Sequence, residues 1–150
     1  MNDAHYYEVG LTWTNQRMGT LVAPGLPDTL RVATPPQFPK GVEGIWSPEH
    51  LFVAAINSCY MTTFLAIAEN SKLIFKSFQC RASGKLEMAN GKYIISEVTV
   101  YPSVVITSEE DRERTESILQ KTESNCLISN SVKSTMFMKT EILVEEKIAA

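Results

Sequence analysis

The chain has 150 residues, 44% of them hydrophobic and 21% charged, with a formal net charge of −3. That length suffices for a single domain, 1–150, with a sizeable core and no metal or disulfide staples. The negative balance, with no basic stripe, excludes a charge-driven binder of nucleic acid or of an anionic membrane.

Met1-Asn2-Asp3-Ala4-His5 lacks the positive start and apolar run of a signal peptide, so a cytoplasmic protein is expected. Tyr7, Val9, Leu11 and Trp13 alternate with Tyr6, Glu8, Gly10 and Thr12, which predicts a half-buried strand. Short strands are expected around Thr20 to Ala23 and Thr29 to Ala33, punctuated by Pro24, Gly25, Pro27 and Asp28. A loop rich in Pro and Gly follows, Thr34 to Trp46, long enough to be a lid or binding element.

Ser47-Pro48-Glu49 reads as a helix start, with Ser as N-cap, Pro at the first helical position and an acid in the first turn. The helix should run to about Asn70. Asn57, Ser58, Thr62 and Thr63 interrupt its apolar run, which favours a helix buried against a sheet or a twin helix over a membrane span. Lys76 to Met88 and Lys92 to Ile106 predict a hairpin around Asn90-Gly91. Ser108 with Glu109, Glu110 and Asp111 starts a second helix, with Arg112–Glu116 and Glu110–Arg114 spaced for surface pairs. Met136, Met138, Ile142 and Val144 share one face of a last strand. The order gives an α+β fold rather than βαβ.

Three cysteines, at 59, 80 and 126, with no Cys-x-x-Cys pair and two distant histidines, argue against a zinc or iron–sulfur site. Cys59 lies mid-helix, where a small buried hydrophobe is the ordinary role; a working thiolate needs a cation and some solvent access. At an ordinary pKa of about 8.5, only about 3% of a thiol is ionised at pH 7. An arginine would raise that fraction, and Arg17, Arg31, Arg81, Arg112 and Arg114 are all candidates. Polar neighbours place Cys126 in a partly exposed turn or at a helix N-terminus, and strand parity makes Cys80 core filler. His50 reads as a solvated side chain.

Trp46-Ser47-Pro48-Glu49-His50-Leu51-Phe52-Val53-Ala54-Ala55-Ile56-Asn57-Ser58-Cys59 resembles the signature helix of the OsmC/Ohr family of osmotically inducible and organic hydroperoxide resistance proteins. Cys126-Leu127-Ile128-Ser129-Asn130-Ser131 resembles that family's second cysteine motif, and element order and length extend the resemblance over nearly the whole chain. Two departures stand out. Leu127 occupies the position where the family usually has proline, and Asn15-Gln16-Arg17 replaces a Gly-Gly-Arg lead-in.

The resemblance implies an OsmC-like fold with antiparallel sheets packed on a long central buried helix, in an intertwined homodimer. It implies a peroxidatic Cys59, a resolving Cys126, and an arginine, here Arg17, that stabilises the thiolate and pairs with Glu49. The expected activity is reduction of organic hydroperoxides through a Cys59 sulfenic acid and a Cys59–Cys126 disulfide. An external dithiol, lipoyl-protein or a small thiol, would reduce that disulfide, with no cofactor and no metal. Phe38, Ile45 and Trp46 in the loop, with Phe52 and Met61 on the helix, would form an apolar mouth for the substrate, unless they seal the core or an interface. If Glu49 and Cys59 lie on one straight helix, ten residues span about 15 Å, and one arginine does not comfortably touch both within one subunit. Either Glu49 lies in a turn folded back over the site or the cluster draws on both subunits, and the second is expected. Two other readings stay open: an acyl-chain or small-molecule binding protein, and a thiol redox sensor without turnover.

Overall fold

The computed structural model describes residues 3–145. Met1, Asn2 and residues 146–150, which include part of the N-terminal segment read above, lie outside the described residues. Described residues up to Leu51 form one compact unit and those from Phe52 a second.

In the first unit, β1 (Gly10–Asn15), β2 (Met18–Ala23) and β3 (Leu26–Ala33) form an antiparallel meander in chain order. Gln16 and Arg17 make the first turn, with Gln16 at φ 45°, and Gly25 at φ 81° helps close the second. The predicted half-burial of the first strand does not hold: Tyr7 is 92% exposed and Trp13 73%, and Val9 and Leu11 are exposed too. The alternation marks an apolar face, but nothing within this unit covers it. The loop from Thr34 to Trp46 is tied at both ends, by Ala33 N–H to the Trp46 carbonyl (2.9 Å) and Thr34 N–H to the Arg17 carbonyl (3.2 Å). It also folds tightly on itself: a Cβ at Gly41 would lie 2.1 Å from the Pro35 carbonyl oxygen, so only glycine fits.

The long helix α1 (Pro48–Asn70) starts and ends where the sequence predicts. Ser47 Oγ accepts the His50 N–H at 3.1 Å while His50 Nδ1 meets Ser47 N (3.3 Å) and Oγ (2.7 Å). This is a reciprocal cap with histidine in the place usually held by Glu or Gln. His50 is thus exposed but engaged, not merely solvated.

The second unit is a four-stranded sheet with helices on one face. β4 (Phe75–Ala89) and β5 (Lys92–Ile106) form the predicted hairpin, with Asn90 at φ 51° and Gly91 at φ 77°. These positive φ values at both central residues are those of a type I′ turn. After α2 (Arg112–Asn125), the chain returns as β6 (Thr135–Met138) and β7 (Glu141–Val144), both parallel to β5. The sheet is therefore mixed rather than antiparallel, because a helical crossover brings the chain back in the same direction. The single last strand expected from Met136, Met138, Ile142 and Val144 is broken at Lys139-Thr140, although all four residues do pack toward the core.

Ile56, Tyr60, Phe64 and Ala68, four residues apart, form the buried stripe of α1. They meet Val98, Val100, Val104 and Ile106 of β5 and Ile118 and Leu119 of α2. Phe64 stacks on Phe78 (4.5 Å) and meets Phe75 edge-on (5.4 Å). Burying each such side chain contributes about 1.5–3 kcal/mol. Ala55, Ser58, Met61, Thr62, Leu65 and Ala66 remain exposed, so within the chain α1 is buried on one face, against the sheet. By length and composition α1 could also cross a membrane. The surface pairs of α2 differ from expectation: Arg112 pairs with Glu109 instead of Glu116, and Arg114 with Asp111 instead of Glu110.

Candidate functional site: two thiols held by one turn

Cys59 precedes Tyr60 in α1, so its side chain sits beside the buried stripe and is only partly covered. Cys126 caps the C-terminus of α2 with φ −69° and ψ 107°, where the helix hands over to an extended residue. It is fully buried, contrary to the partly exposed turn read from its polar neighbours. Ser124, Asn125 and Asn130 are exposed, while the Cys126 Sγ packs 4.0 Å from the Ile56 carbonyl of α1.

A short 3-10 turn, Ser129–Ser131, then folds the chain back, with Asn130 N–H on the Cys126 carbonyl (3.0 Å). This return brings the second cysteine motif onto Cys59. Burial pushes the Cys59 thiol up, but the Ile128 N–H, the Cys126 thiol, the Thr63 hydroxyl and the Leu127 N–H together hold it below its ordinary value. Thr63, one turn along α1, lies 3.9 Å from the sulfur. Donors aimed at a sulfur favour its charged form, as in an anion-binding nest. Cys126 moves the opposite way: burial raises it, and the neighbouring Cys59 adds to the rise against hydrogen bonds from Ser129. Two adjoining thiols, one partly exposed and acidic and one buried and weakly acidic, can divide the roles of attacking and resolving nucleophile.

Around the pair, burial raises Tyr60 strongly, its hydroxyl donating to the Leu119 carbonyl at 3.2 Å. Burial likewise raises Glu123, one of whose carboxylate oxygens has no hydrogen-bond partner among the described residues. Cys80 faces the core and is pushed up to about 11 by burial, so it is not a competing nucleophile. All three cysteines are free thiols. Among the described residues, no group of three or more His, Cys, Asp or Glu side chains could hold a metal ion.

Three of the five candidate arginines are committed elsewhere in the second unit. Arg81 stacks on Tyr101, Arg112 pairs with Glu109, and Arg114 binds the Lys72 carbonyl and Asp111. Arg17 and Arg31 belong to the first unit, both exposed. Arg17 lines a concavity of about 650 Å³ with Gln16, Lys40, Gly41 and Val42. Glu49, in the first turn of α1, has a buried carboxylate oxygen without a partner among the described residues. Ile45 and Trp46 line a second concavity of about 480 Å³ with His50, and Phe38 is half-buried in the same loop. Phe52 packs against the core of the second unit, and Met61 is exposed on α1. The donors Thr63, Leu127, Ile128 and Ser129 were missed by sequence reasoning. Thr63 had a signal, lying four residues after Cys59 on one helix; the backbone donors had none.

The family profile described as OsmC-like protein matches residues 41–141. The chain is 25% identical, over 97% of each sequence, to the uncharacterized protein YmaD of Bacillus subtilis strain 168. Its fold is similar to that of an OsmC-like protein of unknown function from Vibrio cholerae, with a TM-score of 0.82, 28% identity, and coverage of 91% of this chain and 99% of that one. An organic hydroperoxide resistance protein from Elizabethkingia anophelis superposes with a TM-score of 0.75 over 97% of this chain and 100% of its own, at 16% identity. With the profile spanning most of the chain and the same fold recurring in these structures, this protein belongs to the OsmC-like family.

Proposed function

We propose that this protein is a thiol peroxidase that reduces organic hydroperoxides to alcohols. The observation that carries this reading is the meeting of Cys59 and Cys126 with their acidities displaced in opposite directions. In the first step the Cys59 thiolate attacks the terminal peroxide oxygen and the O–O bond breaks. The alkoxide takes a proton and leaves as the alcohol, and Cys59 becomes a sulfenic acid. Cys126 then attacks that sulfur, losing its proton as the S–O bond breaks and water departs, which leaves a Cys59–Cys126 disulfide. An external dithiol restores both thiols and is itself oxidised.

Arg17 and Glu49 complete the site in a homodimer, with the arginine of one subunit serving the Cys59 of the other. Three features support this. Glu49 carries a buried carboxylate oxygen without a partner, an arrangement costly to leave unmet. Arg17 forms no ion pair among the described residues. Glu49 and Cys59 also lie ten residues apart on one unbroken helix, about 15 Å in rise. The apolar contacts to substrate are assigned to Phe38, Ile45 and Trp46 of the loop and to Phe52 and Met61 of α1.

The test is mass spectrometry of reduced protein treated with one equivalent of cumene hydroperoxide. Wild type should end as the Cys59–Cys126 disulfide, Cys126→Ser as a dimedone-trappable sulfenic acid on Cys59, and Cys59→Ser unmodified. Dihydrolipoamide should then sustain many turnovers of wild type. Oxidation without turnover by any dithiol would contradict the peroxidase and leave a redox sensor.

A further inference from the structure

The face of the mixed sheet opposite the helices carries a feature that the thiol chemistry does not use. Register places Arg81 of β4 opposite Tyr101 of β5, and Lys139, just past β6, keeps its N–H on the Val100 carbonyl at 2.9 Å. The Arg81 guanidinium lies 4.0 Å from the centre of the Tyr101 ring, and the Lys139 ammonium 6.0 Å from it. One aromatic ring thus gathers two cations from the two flanking chain segments. The next cross-strand row on the same face is Gln79, Ser103 and Glu141. Together the two rows line a concavity of about 570 Å³, opened where the break between β6 and β7 interrupts the sheet.

Lys85, further along the same strand, is engaged by Glu87 and Glu97, whereas among the described residues Arg81 and Lys139 pair with no carboxylate. Glu141, the acid nearest by register, accepts the Ser103 hydroxyl at 3.0 Å instead. A guanidinium whose carbon sits over a ring face still has N–H groups for contact with an oxyanion. An ammonium beside it supplies a second positive charge. Two neighbouring positive charges match a phosphomonoester, which carries about −1.5 to −2 at pH 7, better than a carboxylate, which carries one.

We infer that this concavity is a binding site for a small phosphomonoester, held by Arg81 and Lys139 and oriented by the amide of Gln79. The site is independent of the two thiols and does not rest on the peroxidase reading.

Isothermal titration of the full-length reduced protein at low ionic strength tests it, with phenyl phosphate, inorganic phosphate and benzoate as probes. Wild type should bind one phenyl phosphate, more weakly as sodium chloride is added. Arg81→Gln and Lys139→Gln should each weaken that binding by about tenfold or more, as expected for losing a charged hydrogen bond. Glu141→Gln should tighten it by removing a like charge. Inorganic phosphate should compete, and benzoate should bind much more weakly. All three residues are exposed, and melting curves check that the variants fold. The inference is overturned by absence of saturable phenyl phosphate binding to wild type, by equal binding to both folded cation variants, or by benzoate binding as tightly as the phosphate.

Discussion

Leu127 illustrates how one side-chain identity acts through the backbone. Its N–H is one of the donors that hold the Cys59 thiol below its ordinary pKa. Proline at that position would have none. The preceding residue, Cys126, already has ψ 107°, in the extended region that a following proline requires. Leu127→Pro therefore removes a donor at a position where the preceding backbone is already extended. Because the native pKa of Cys59 is lowered, its thiolate persists below the ordinary thiol range, and reactivity falls only as pH drops through that lowered value. The substitution should move the inflection of iodoacetamide labelling at Cys59 toward higher pH. At pH 6 it should slow labelling by about threefold to tenfold, the worth of about one ordinary hydrogen bond. Unchanged labelling would remove Leu127 from the thiolate cradle. Cys126 and Cys80, both raised, should label only at higher pH in either protein.

Among the elements, the seating of α1 on the sheet depends on Gly84 of β4. A Cβ there would lie 2.7 Å from Val53 Cγ2 and 3.3 Å from Ile95 Cγ2. Both neighbours are β-branched and stiff at χ1, so neither yields easily. Gly84→Val should cost about 1–3 kcal/mol of stability in urea unfolding, as overpacking does, and Val53→Ala in the same chain should recover part of it. Asn57 adds a second tie, its Nδ2 donating at 2.8 Å to the carbonyl of Cys80, which faces Pro102 across the ladder.

Elements with strong local signals were legible in the sequence: Ser47-Pro48-Glu49 fixes the start of α1, and Asn90-Gly91 fixes the hairpin. Parallel pairing of β6 and β7 was not, because it follows from a crossover through α2 and not from any local pattern. Cys126 was misjudged for a related reason. Polar neighbours describe the chain around it, whereas its burial is set by α1, distant in sequence. The pairing of the two thiols came from motif resemblance, and the amide donors around them could not be read from side chains at all.

For the molecule as a whole, each of the two units leaves apolar side chains uncovered. Leu11 and Trp13 of β1, and Met61 and Leu65 of α1, stand exposed in a single copy. Surface of this kind marks an interaction site, and in the proposed function it is covered by a second copy of the chain. Leu65→Glu puts a charge on that face of α1. Sedimentation velocity should show wild type as a dimer and this variant shifted to monomer, with peroxidase turnover falling at least tenfold as the shared site is lost. A wild-type monomer would remove the intersubunit role of Arg17.

The central claim is that Cys59 is a peroxide-directed nucleophile, and stopped-flow oxidation of the reduced protein tests it most directly. Cumene hydroperoxide and hydrogen peroxide would each be mixed with wild type and with Cys59→Ser. The account predicts oxidation orders of magnitude faster than that of a free thiol, faster with the organic peroxide, and abolished in the variant. Oxidation of wild type no faster than a free thiol, or equally fast without Cys59, would contradict it.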